Sequence, residues 1–336
     1  MKTFIKYPGG KAKELNIIKE NKPSVIKRYF EPFVGGGSVF FDLGIKQSFI
    51  NDISTDLILL YRFIKNKDQL FLTKMNKLNL AWKNLSEENW EQTDFSFISS
   101  EQGLFDIFKQ HKENEEKRRF SKAEKHTNEK EVYDTNQIVI TSIKAAFYCT
   151  IRHIYNKETQ NELIRAITYY FIREYCYSSM FRFSTTGEFN VPYGGYSYND
   201  KNFDTKINLI NSYNLDNARL YNEDYRKFLK RFKFKSTDFI FVDPPYDSEF
   251  SDYDGNCFDK DEQERLADYL SNLPAKVMVV IKNTDFIYDL YESKGFNIKS
   301  FDKKYSVNFR NRNVRDVKHL LITNYESREV NKNAST

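Results

Sequence analysis

Two sections of the chain alternate short apolar runs with amphipathic stretches, a pattern typical of a parallel sheet covered by helices. The first section, about residues 25–67, predicts strands at RYFEPF and SFIND and helices at SVFFDLGI and DLILLYRFIKN. The second, about residues 218–325, predicts strands at ARLYNED, DFIFVDPPY, KVMVVIKN and KHLLITNY, with helices at KDEQERLADYLSNL and DFIYDLYESKG. Together the two sections predict a Rossmann-like α/β fold with a mostly parallel sheet.

Residues 68–203 interrupt this alternation. Leu- and aromatic-rich helical text leads into the charged run KQHKENEEKRRFSKAEKHTNEKE, followed by the amphipathic segments QIVITSIKAAFYCTIRHIY and ELIRAITYYFIREYCYSSMF. Because acids are interspersed among its basic residues, the charged run is interpreted as a solvated helix or a mobile loop. We therefore predict a largely helical domain, 68–203, inserted into a sheet domain formed by 1–67 and 204–336.

Composition and charge narrow the class of protein only slightly. The hydrophobic content of 40% supplies a substantial core, and the net charge of +5 permits a polyanionic partner without requiring one. Cys149, Cys176 and Cys257 are widely spaced, and the four histidines lack ligand spacing, so neither a disulfide framework nor a metal site is predicted. The N-terminus MKTFIKYPGG lacks the apolar stretch of a signal peptide, so we expect a cytoplasmic protein without a membrane segment.

A glycine cluster separates the first predicted strand from the first predicted helix in YFEPFVGGGSVFF, residues 29–41. These glycines let the backbone approach a ligand closely, and the new helix offers free N–H groups. Asp52 ends the next strand, where an acid in a doubly wound sheet is placed to bond ribose hydroxyls. Taken alone, an ordinary glycine-rich turn and a turn-forming aspartate remain alternatives. Upstream, KYPGGK (residues 6–11) brackets a Pro-Gly-Gly corner with two lysines suited to a carboxylate or phosphate.

The apolar strand DFIFV runs into Asp243, Pro244, Pro245 and Tyr246. Prolines fix φ and lack an N–H, so this stiff corner presents carbonyl oxygens rather than donors, and Tyr246 adds a flat face. Such a corner is suited to hold the exocyclic amine of a planar base, with one N–H donated to Asp243 and the other to the Pro244 carbonyl. That bonding directs the nitrogen lone pair at an electrophile, which predicts alkylation of an aromatic amine without a covalent intermediate.

Five stretches, KYPGGK, EPFVGGGSVF, NDI followed by DLI, GEFNVPYG and DPPY, occur in an order that resembles the Dam-like, D12-class (alpha-group) DNA adenine-N6 methyltransferases. The resemblance covers about residues 3–66 and 180–325. It implies S-adenosylmethionine as cofactor, an inserted target-recognition domain and a flipped-out adenine in double-stranded DNA as substrate. It also implies a restriction-modification system or a phage or other mobile element, and it leaves open whether a cognate restriction endonuclease is a partner.

The resemblance also implies roles for individual residues, without any metal. The catalytic set is Asp243, Pro244, Pro245 and Tyr246. The cofactor-binding set is Tyr7, Lys11, Glu31, Phe33, Gly35, Gly37, Asp52, Asp224, Tyr225 and Asp243. The DNA-binding set is Lys6, Arg182, Asn190 and Tyr193.

Within these sets the resemblance implies specific contacts. Lys11 is expected near the carboxylate of the cofactor and Asp52 at its ribose hydroxyls. Asp224 and Tyr225 are expected at its adenine, by hydrogen bonding and stacking. Tyr246 is expected to stack on the flipped target base.

The match departs from the family pattern in FRFSTTGEFNVPYGGY, residues 181–196. Relatives commonly have Arg-Tyr-Asn where this chain has Arg182, Phe183 and Ser184, so an amide suited to base edges is missing. Arg182 contacts guanine or phosphate, or is a surface cation. Lys6 matches a lysine that touches guanine in GATC-specific relatives, but the recognition sequence stays open.

Four other activities compete with adenine methylation of DNA. An N4-cytosine methyltransferase is the nearest alternative, since the same corner can hold the amine of cytosine, although an aspartate rather than a serine before the prolines favours adenine. An RNA methyltransferase is a further alternative. A dinucleotide-binding oxidoreductase fits the glycine loop, but GGGS lacks the G-x-G-x-x-G spacing and the Asp-Pro-Pro-Tyr corner has no purpose in that chemistry. A DNA-binding module without activity is disfavoured by the intact Asp243 and glycine turn.

Overall fold

The computed structural model describes residues 3–125, 134–158, 160–245, 258–304 and 316–326. The chain forms two compact units. The first unit comprises Met1–Thr3, Gly9–Ile58 and Leu215–Thr336, and the second comprises Phe4–Pro8 and Leu59–Asn214. The assignment of the inserted part to target recognition stays a prediction.

Along the chain, the first two strands are followed by a run of helices before the third strand begins. In chain order they are α1 (Leu15–Asn21), β1 (Arg28–Glu31), α2 (Ser38–Leu43), β2 (Ser48–Asn51), α3 (Thr55–Lys65), α4 (Gln69–Asn84), α5 (Leu104–Lys125), α6 (Thr135–Lys157), α7 (Glu162–Tyr175), α8 (Asp204–Ser212), β3 (Ala218–Tyr221), α9 (Tyr225–Lys230), β4 (Asp238–Val242), α10 (Lys260–Ser271), β5 (Lys276–Lys282), α11 (Asp285–Glu292), β6 (Asn297–Lys304) and β7 (Asp316–Thr323).

The first unit contains a seven-stranded sheet in the order β3-β2-β1-β4-β5-β7-β6. β7 runs antiparallel to both β5 and β6, whereas the other neighbouring strands are parallel. The predicted fold class, a Rossmann-like mostly parallel sheet, is therefore confirmed. The pattern missed β6, since NIKSFDKK carries few apolar residues, as is common for a strand at the edge of a sheet.

The strand order reverses between β1 and β4, which pair directly in parallel with Phe30 opposite Ile240. In open α/β sheets such a switch point is where ligands bind, outside the carboxyl ends of the strands. β2 pairs with β1 on its other side and β3 pairs with β2, with Asn51 opposite Tyr221. The carboxyl ends of β1, β2, β3 and β4 therefore lie along one edge of the sheet.

The apolar sequence of β4 follows from its position in the middle of the sheet. All five of its residues are buried, because a parallel strand covered on both faces has no solvated side. Below it, Phe30 and Phe49 stack with ring centroids 4.8 Å apart, and Phe232 packs edge-on against both. This aromatic core supports β1 and β2 from one face.

An ion pair fixes the amino ends of the two central strands. The Arg28 guanidinium donates from Nε to Asp238 Oδ1 at 2.9 Å and from Nη2 to Oδ2 at 2.5 Å. Asp238 is buried, and the backbone N–H of Lys235 also donates to it at 2.7 Å. Because Arg28 begins β1 and Asp238 begins β4, this two-pronged contact supports the register on which the other ends of both strands depend.

The second unit is built around the indole of Trp82 on α4, which is fully buried. The rings of Tyr175 and Phe171 on α7 lie 4.4 and 5.4 Å from it. The indole Nε1–H donates to the carbonyl of Lys201 at 2.7 Å, so the polar atom of this large side chain is satisfied. Burial of such rings dominates the stability of a helical domain of this size.

Most of the charged run lies on α5, a 22-residue helix that packs along α6. Of the two structures considered for this run, the helix is therefore correct for residues up to Lys125. The rest of the run lies outside the described residues. Ion pairs between Glu115 and Arg118 or Arg119 follow the helical spacing of three and four residues.

Within the described ranges, no helix combines the length and apolar character needed to cross a membrane. They likewise contain no group of three or more His, Cys, Asp or Glu side chains arranged to hold a metal ion. Cys149 and Cys176 are free thiols, and Cys257 lies outside the described residues.

Lys144 on α6 is a charged group buried beside Trp82. Only 5% of the residue is exposed, its Nζ donates to the Trp82 carbonyl at 2.5 Å, and the ammonium lies 4.4 Å from the indole centroid. Burial lowers the pKa of Lys144 to about 8, although the nearby charge of Asp200 opposes that shift. The folded state therefore favours the neutral amine more strongly than the unfolded chain does.

This burial predicts a rise in stability with pH. Between about pH 8 and pH 10.5 the unfolded chain binds more protons at Lys144 than the folded chain, so the free energy of unfolding increases with pH across that window. This gain in stability is complete above about pH 10.5 and is lost as the pH falls through about 8. Urea unfolding measures this effect for the wild type and for Lys144→Met at several pH values. The free energy of unfolding of the wild type should rise with pH relative to that of Lys144→Met.

Lys77→Met, which removes an exposed lysine from α4, is the matched control for loss of a positive charge. Ionisation of buried thiols and phenols affects all three proteins equally and cancels in the comparison. A constant gap between wild type and Lys144→Met across this pH range would contradict the prediction.

Candidate active site

Asp243 directly follows β4 at the switch-point edge of the sheet and forms an ion pair with the ammonium of Lys11. The side chain of Lys11 is only 2% exposed, whereas that of Asp243 is 21% exposed. Lys11 Nζ also donates to the carbonyl of Gly9 at 2.9 Å. A buried ammonium requires such partners, because an uncompensated charge in the interior costs several kcal/mol, about 3–5 when one partner is removed.

The glycine turn after β1 is bonded to the aspartate that follows β2. Gly35 and Gly37 have φ values of 49° and 70°, in the left-handed region that glycine adopts without steric cost. The Gly35 N–H donates to Asp52 Oδ2 at 2.9 Å, and the Ser54 N–H donates to Oδ1 at 3.0 Å. These two bonds orient the Asp52 carboxylate, so the two sequence features form one structural unit.

Asn51, which the sequence analysis did not single out, holds three strand ends together. Its side-chain Nδ2 donates to the carbonyls of Pro32 and Glu223, each at 3.0 Å, and its Oδ1 accepts from the Glu223 N–H at 3.0 Å. Pro32 follows β1, Asn51 ends β2 and Glu223 follows β3. The only sequence signal was its place beside Asp52 in FIND, which does not reveal these distant partners.

Asp224 and Tyr225 begin α9 just beyond β3. The Asp224 carboxylate caps the helix by accepting the Arg226 N–H at 3.0 Å and also pairs with the Arg226 guanidinium at 2.9 Å. Partial burial raises the pKa of Asp224, but the hydrogen bonds from Arg226 outweigh it and leave that pKa below its usual value. The carboxylate therefore stays ionised and fixed at this corner.

Three aromatic rings cluster beside that corner. Phe33, Tyr225 and Phe258 lie 5.2 to 5.7 Å apart between ring centroids. The Tyr225 hydroxyl donates to Glu262 Oε2 at 3.0 Å, which anchors the ring to the first turn of α10. Sequence reasoning missed Phe258, because it precedes a helix and belongs to no motif. The cluster places apolar aromatic rings just beyond the ends of β1 and β3.

Glu31 ends β1 with a carboxyl group that is almost fully buried, and it accepts the Tyr29 hydroxyl at 2.8 Å. Burial raises its pKa well above the ordinary value. The Tyr29 hydrogen bond and the charge of Lys11 oppose this shift, whereas the negative charges of Asp243 and Asp52 reinforce it. Asp243, Asp52 and Lys11 therefore each lie close enough to act on the carboxyl group of Glu31, and burial keeps Glu31 neutral to a higher pH than an exposed glutamate.

The proline corner is described only as far as Pro245. Pro244 is buried, and the carbonyl of Pro245 accepts a hydrogen bond from Gln263 Nε2 at 3.0 Å. The predicted stacking residue Tyr246 lies outside the described residues. In the first unit, the predicted residues Glu31, Asp52, Asp224 and Asp243 thus lie at or just beyond the carboxyl ends of four neighbouring strands.

The remaining predicted residues belong to the second unit. Lys6 donates from Nζ to the Tyr198 hydroxyl at 3.1 Å, and the Tyr7 ring lies 4.3 Å from the guanidinium carbon of the buried Arg173. Their predicted roles, Lys6 in DNA binding and Tyr7 in cofactor binding, stay predictions.

The predicted DNA-binding residues of the loop after α7 differ in exposure. Arg182 and Asn190 are exposed and joined by a hydrogen bond of 3.1 Å from the arginine Nε. Tyr193 is only 7% exposed, and its hydroxyl donates to Asn199 Oδ1 at 3.0 Å. In this structure Tyr193 packs inside the unit and supports the loop, and its contact with DNA stays a prediction.

Comparison with known proteins adds an independent line of information. A model of the D12 class N6 adenine-specific DNA methyltransferase family matches residues 7–307. The chain belongs to this family.

Similar proteins span almost the whole chain. The type II methyltransferase M.MjaIII of Methanocaldococcus jannaschii is 32% identical over 347 aligned positions, covering 97% of this chain and 99% of that protein. The type II methyltransferase M.CviBI of Paramecium bursaria Chlorella virus NC1A is 28% identical over 330 positions, covering 97% and 100%. The DNA adenine methylase of Escherichia coli K12 is 26% identical over 291 positions, covering 84% and 81%.

The protein is thus an adenine-specific DNA methyltransferase, and its sheet fits the methyltransferase fold that the sequence predicted. The family decides between the competing activities: the target is the N6 amine of adenine in DNA, not cytosine or RNA. An oxidoreductase or an inactive binding module is not supported.

The buried Glu31 makes stability depend on pH in a defined direction. Because its folded pKa is raised, its favourable contribution is fully present below the ordinary value of 4.5 and is lost as the pH rises through the folded value. Replacing Glu31 by Gln keeps the shape and removes the titration. Without cofactor, the unfolding free energy of Glu31→Gln should therefore gain on that of the wild type as pH rises from about 5 to 8.

Glu264→Gln, at an exposed position of α10, controls for loss of a carboxylate. Parallel pH profiles for wild type and Glu31→Gln would show that Glu31 does not titrate differently in the folded protein.

Proposed function

We propose that this methyltransferase transfers the methyl group of S-adenosylmethionine to N6 of an adenine flipped out of duplex DNA, with Asp243 and the proline corner holding the reacting amine. The observation that carries the proposal is the Lys11–Asp243 ion pair at the switch point, with Glu31 and Asp52 close enough to affect the same electrostatic environment. In open α/β sheets this switch-point edge, outside the carboxyl ends of the strands, is where ligands bind.

The described residues fit the proposed cofactor. S-adenosylmethionine, when bound, supplies a methyl group on a positively charged sulfonium, next to an amine and a carboxylate. Lys11 would hold the carboxylate, and the acidic side chains Glu31 and Asp243 suit the positive charges. Asp52, oriented by two backbone N–H groups, would accept the ribose hydroxyls, beside a turn where Gly35 and Gly37 leave no side chain in the way.

The adenine end of the cofactor would lie against the aromatic cluster of Phe33, Tyr225 and Phe258. Stacking on flat apolar rings favours a purine, and the fixed carboxylate of Asp224 supplies an acceptor for its amine. Glu262 orients Tyr225 through its hydroxyl. Phe258 and Glu262 thus extend the predicted cofactor-binding set.

Asp243 and the Pro244 carbonyl act on the substrate amine. A target base inside a duplex cannot reach such a corner, so it must be flipped out at a cost of a few kcal/mol. Asp243 accepts one N6–H and the Pro244 carbonyl accepts the other, which holds the nitrogen lone pair out of conjugation with the ring. The lone pair would then form the new bond to the methyl carbon as the bond between that carbon and the sulfonium sulfur breaks with its electron pair staying on sulfur, and the proton lost from nitrogen would leave along its hydrogen bond to Asp243. Tyr246 is proposed to stack on the flipped base.

In the second unit, Arg182 and Asn190 form an exposed donor and acceptor pair suited to base edges or phosphate. Lys6 is one of two ammonium groups that converge on Tyr198: Lys6 Nζ lies 5.1 Å and Lys201 Nζ 3.2 Å from the ring centroid. Partial burial, and then repulsion from Lys6, lower the pKa of Lys201. A DNA phosphate bound between the two lysines would relieve that repulsion.

The anchoring of Lys201 supports this contact. Its carbonyl accepts from Trp82 Nε1 at 2.7 Å and from the Tyr175 hydroxyl at 2.9 Å, so its backbone is tied to the core of the unit. The nearby Tyr196 is 64% exposed. An exposed aromatic beside fixed cations is typical of nucleic-acid surfaces.

We also propose a restriction-modification setting with a cognate restriction endonuclease as partner. The support is that two of the similar proteins named above are type II methyltransferases. Such an endonuclease would cut the same sequence only where it is unmethylated.

The catalytic proposal is tested with Asp243→Ala. Removing the carboxylate removes an acceptor for the reacting amine, so methyl transfer should fall by at least about 100-fold, the scale expected for loss of a positioned catalytic group. The assay measures N6-methyladenine by mass spectrometry in DNA purified from a methylation-free host and incubated with S-adenosylmethionine. Asp268→Asn, at an exposed position of the same unit, should match the wild type.

Because Asp243→Ala removes the carboxylate that pairs with the buried Lys11, the variant should be less stable than the wild type. Its rate is therefore compared at a temperature where circular dichroism and DNA affinity show that it is folded and binds DNA. Near wild-type methylation by this variant would refute the assignment of Asp243.

The proposed phosphate contact is tested through salt dependence. Each neutralised phosphate contributes about 0.9 to the slope of log affinity against log salt concentration. Lys201→Gln should weaken binding to duplex DNA and reduce the slope by about 1, whereas Lys201→Arg should keep it. Fluorescence anisotropy at several salt concentrations measures both.

Lys77→Gln, an exposed lysine of the same unit, serves as the control for a general loss of charge. If Lys77→Gln and Lys201→Gln changed the slope equally, the cation pair at Tyr198 would have no special role.

A further inference from the structure

Gln263 on α10 is a fully buried polar residue at the proline corner. Its side chain has no exposed surface, and its Nε2–H donates to the carbonyl of Pro245 at 3.0 Å. Gln263 lies in the first turn of α10, which Asp259 caps by accepting the Glu262 N–H at 2.9 Å. The helix start, and with it the Gln263 side chain, is therefore held in place by local contacts.

The other end of the Gln263 amide argues against a purely structural role. Its Oε1 is buried and has no hydrogen-bond partner in the described part of the chain. An unsatisfied buried acceptor costs stability, so a well-packed apolar side chain would suit a merely structural position better. What the amide supplies here, and an apolar side chain of the same size cannot, is an uncharged N–H donor for the Pro245 carbonyl.

The corner contains few atoms that can be hydrogen-bonded. Pro244 and Pro245 have no N–H, so the corner offers only its carbonyls and the Asp243 carboxylate. Gln263 occupies the Pro245 carbonyl, whereas none of the described residues donates to the Pro244 carbonyl. The bond therefore leaves Asp243 and Pro244 as the acceptors for a substrate amine, and it fixes the peptide plane that follows Pro245. Because the ring of Pro245 fixes its φ, this plane in turn restrains the preceding peptide, which carries the Pro244 carbonyl.

We propose that Gln263 is a positioning residue for methyl transfer, acting through the Pro245 carbonyl to orient the Pro244 carbonyl and Asp243 toward the adenine amine. This inference rests on the proposed catalytic role of the corner. The neighbouring residue Glu262 bonds Tyr225, so one helical turn links the corner to the aromatic cluster. The turn thereby ties the predicted methyl-accepting and cofactor-binding regions to one rigid element.

The first test is Gln263→Met, which keeps the size of the side chain and removes the donor. Misplacement of the corner should reduce the single-turnover rate of methyl transfer about 10- to 100-fold, since small displacements of reacting groups cost that much. Affinities for S-adenosylmethionine and for duplex DNA should stay within about two-fold of wild type. Glu264→Met, the next residue along and exposed, should leave the rate unchanged.

The second test is Gln263→Glu, which places a buried acid at the same distance. The neutral carboxyl can donate its O–H to the Pro245 carbonyl, whereas the ionised carboxylate cannot and would repel it. Burial raises the pKa of such a group. The rate of Gln263→Glu relative to wild type should therefore be highest at low pH and should fall as pH rises, a signature that packing alone would not produce.

The outcomes separate this inference from the proposal on which it rests. An active Asp243→Ala would refute the catalytic role of the corner. An inactive Asp243→Ala together with a Gln263→Met rate within two-fold of wild type would refute only the positioning role. If Gln263→Met did not fold, Gln263→Glu would decide: a pH profile parallel to the wild type would overturn the inference, and the falling profile would support it.

Discussion

The parallel pairing of β1 with β4 is the constraint on which the rest of the site depends. These strands are separated by more than 200 residues in sequence, yet their register is supported at one end by the Arg28–Asp238 ion pair. Because they lie side by side, the chain can end both at one edge and bring Glu31 and Asp243 there together. The strand order reverses between β1 and β4, and in open α/β sheets ligands bind at such a point.

The charged groups buried at that edge are compensated by other groups of the same unit. Lys11 pairs with Asp243, and Glu31 is held neutral by burial beside other carboxylates. A cationic cofactor near these acids favours their ionised forms, because opposite charges stabilise each other. The same residues therefore keep the free protein folded and suit the proposed ligand. The same charges thus affect both the stability of the fold and the binding of the proposed ligand.

In the second unit, packing around Trp82 rather than an ion pair holds the backbone in place. Trp82 supplies a large buried ring, and its indole N–H holds the backbone of Lys201. Polar side chains at the surface, such as Arg182 and Asn190, extend from a loop packed through Tyr193 on the same aromatic core. Rigid aromatic packing can thus orient flexible cationic side chains, which otherwise lose much entropy on binding a phosphate.

The sequence alone determined the fold class, the strand ends carrying Glu31, Asp52, Asp224 and Asp243, and the family. These are local properties, since apolar runs, glycine turns and proline corners act on neighbouring residues. Only the tertiary structure decided that Gln263 bonds Pro245, that Phe258 joins the aromatic cluster and that Asn51 joins three strand ends. It also brought Lys6 and Lys201 together on the ring of Tyr198. It also decided that Tyr193 is buried. Such contacts join residues distant in sequence, and their partners depend on strand order and helix packing, which no local pattern encodes.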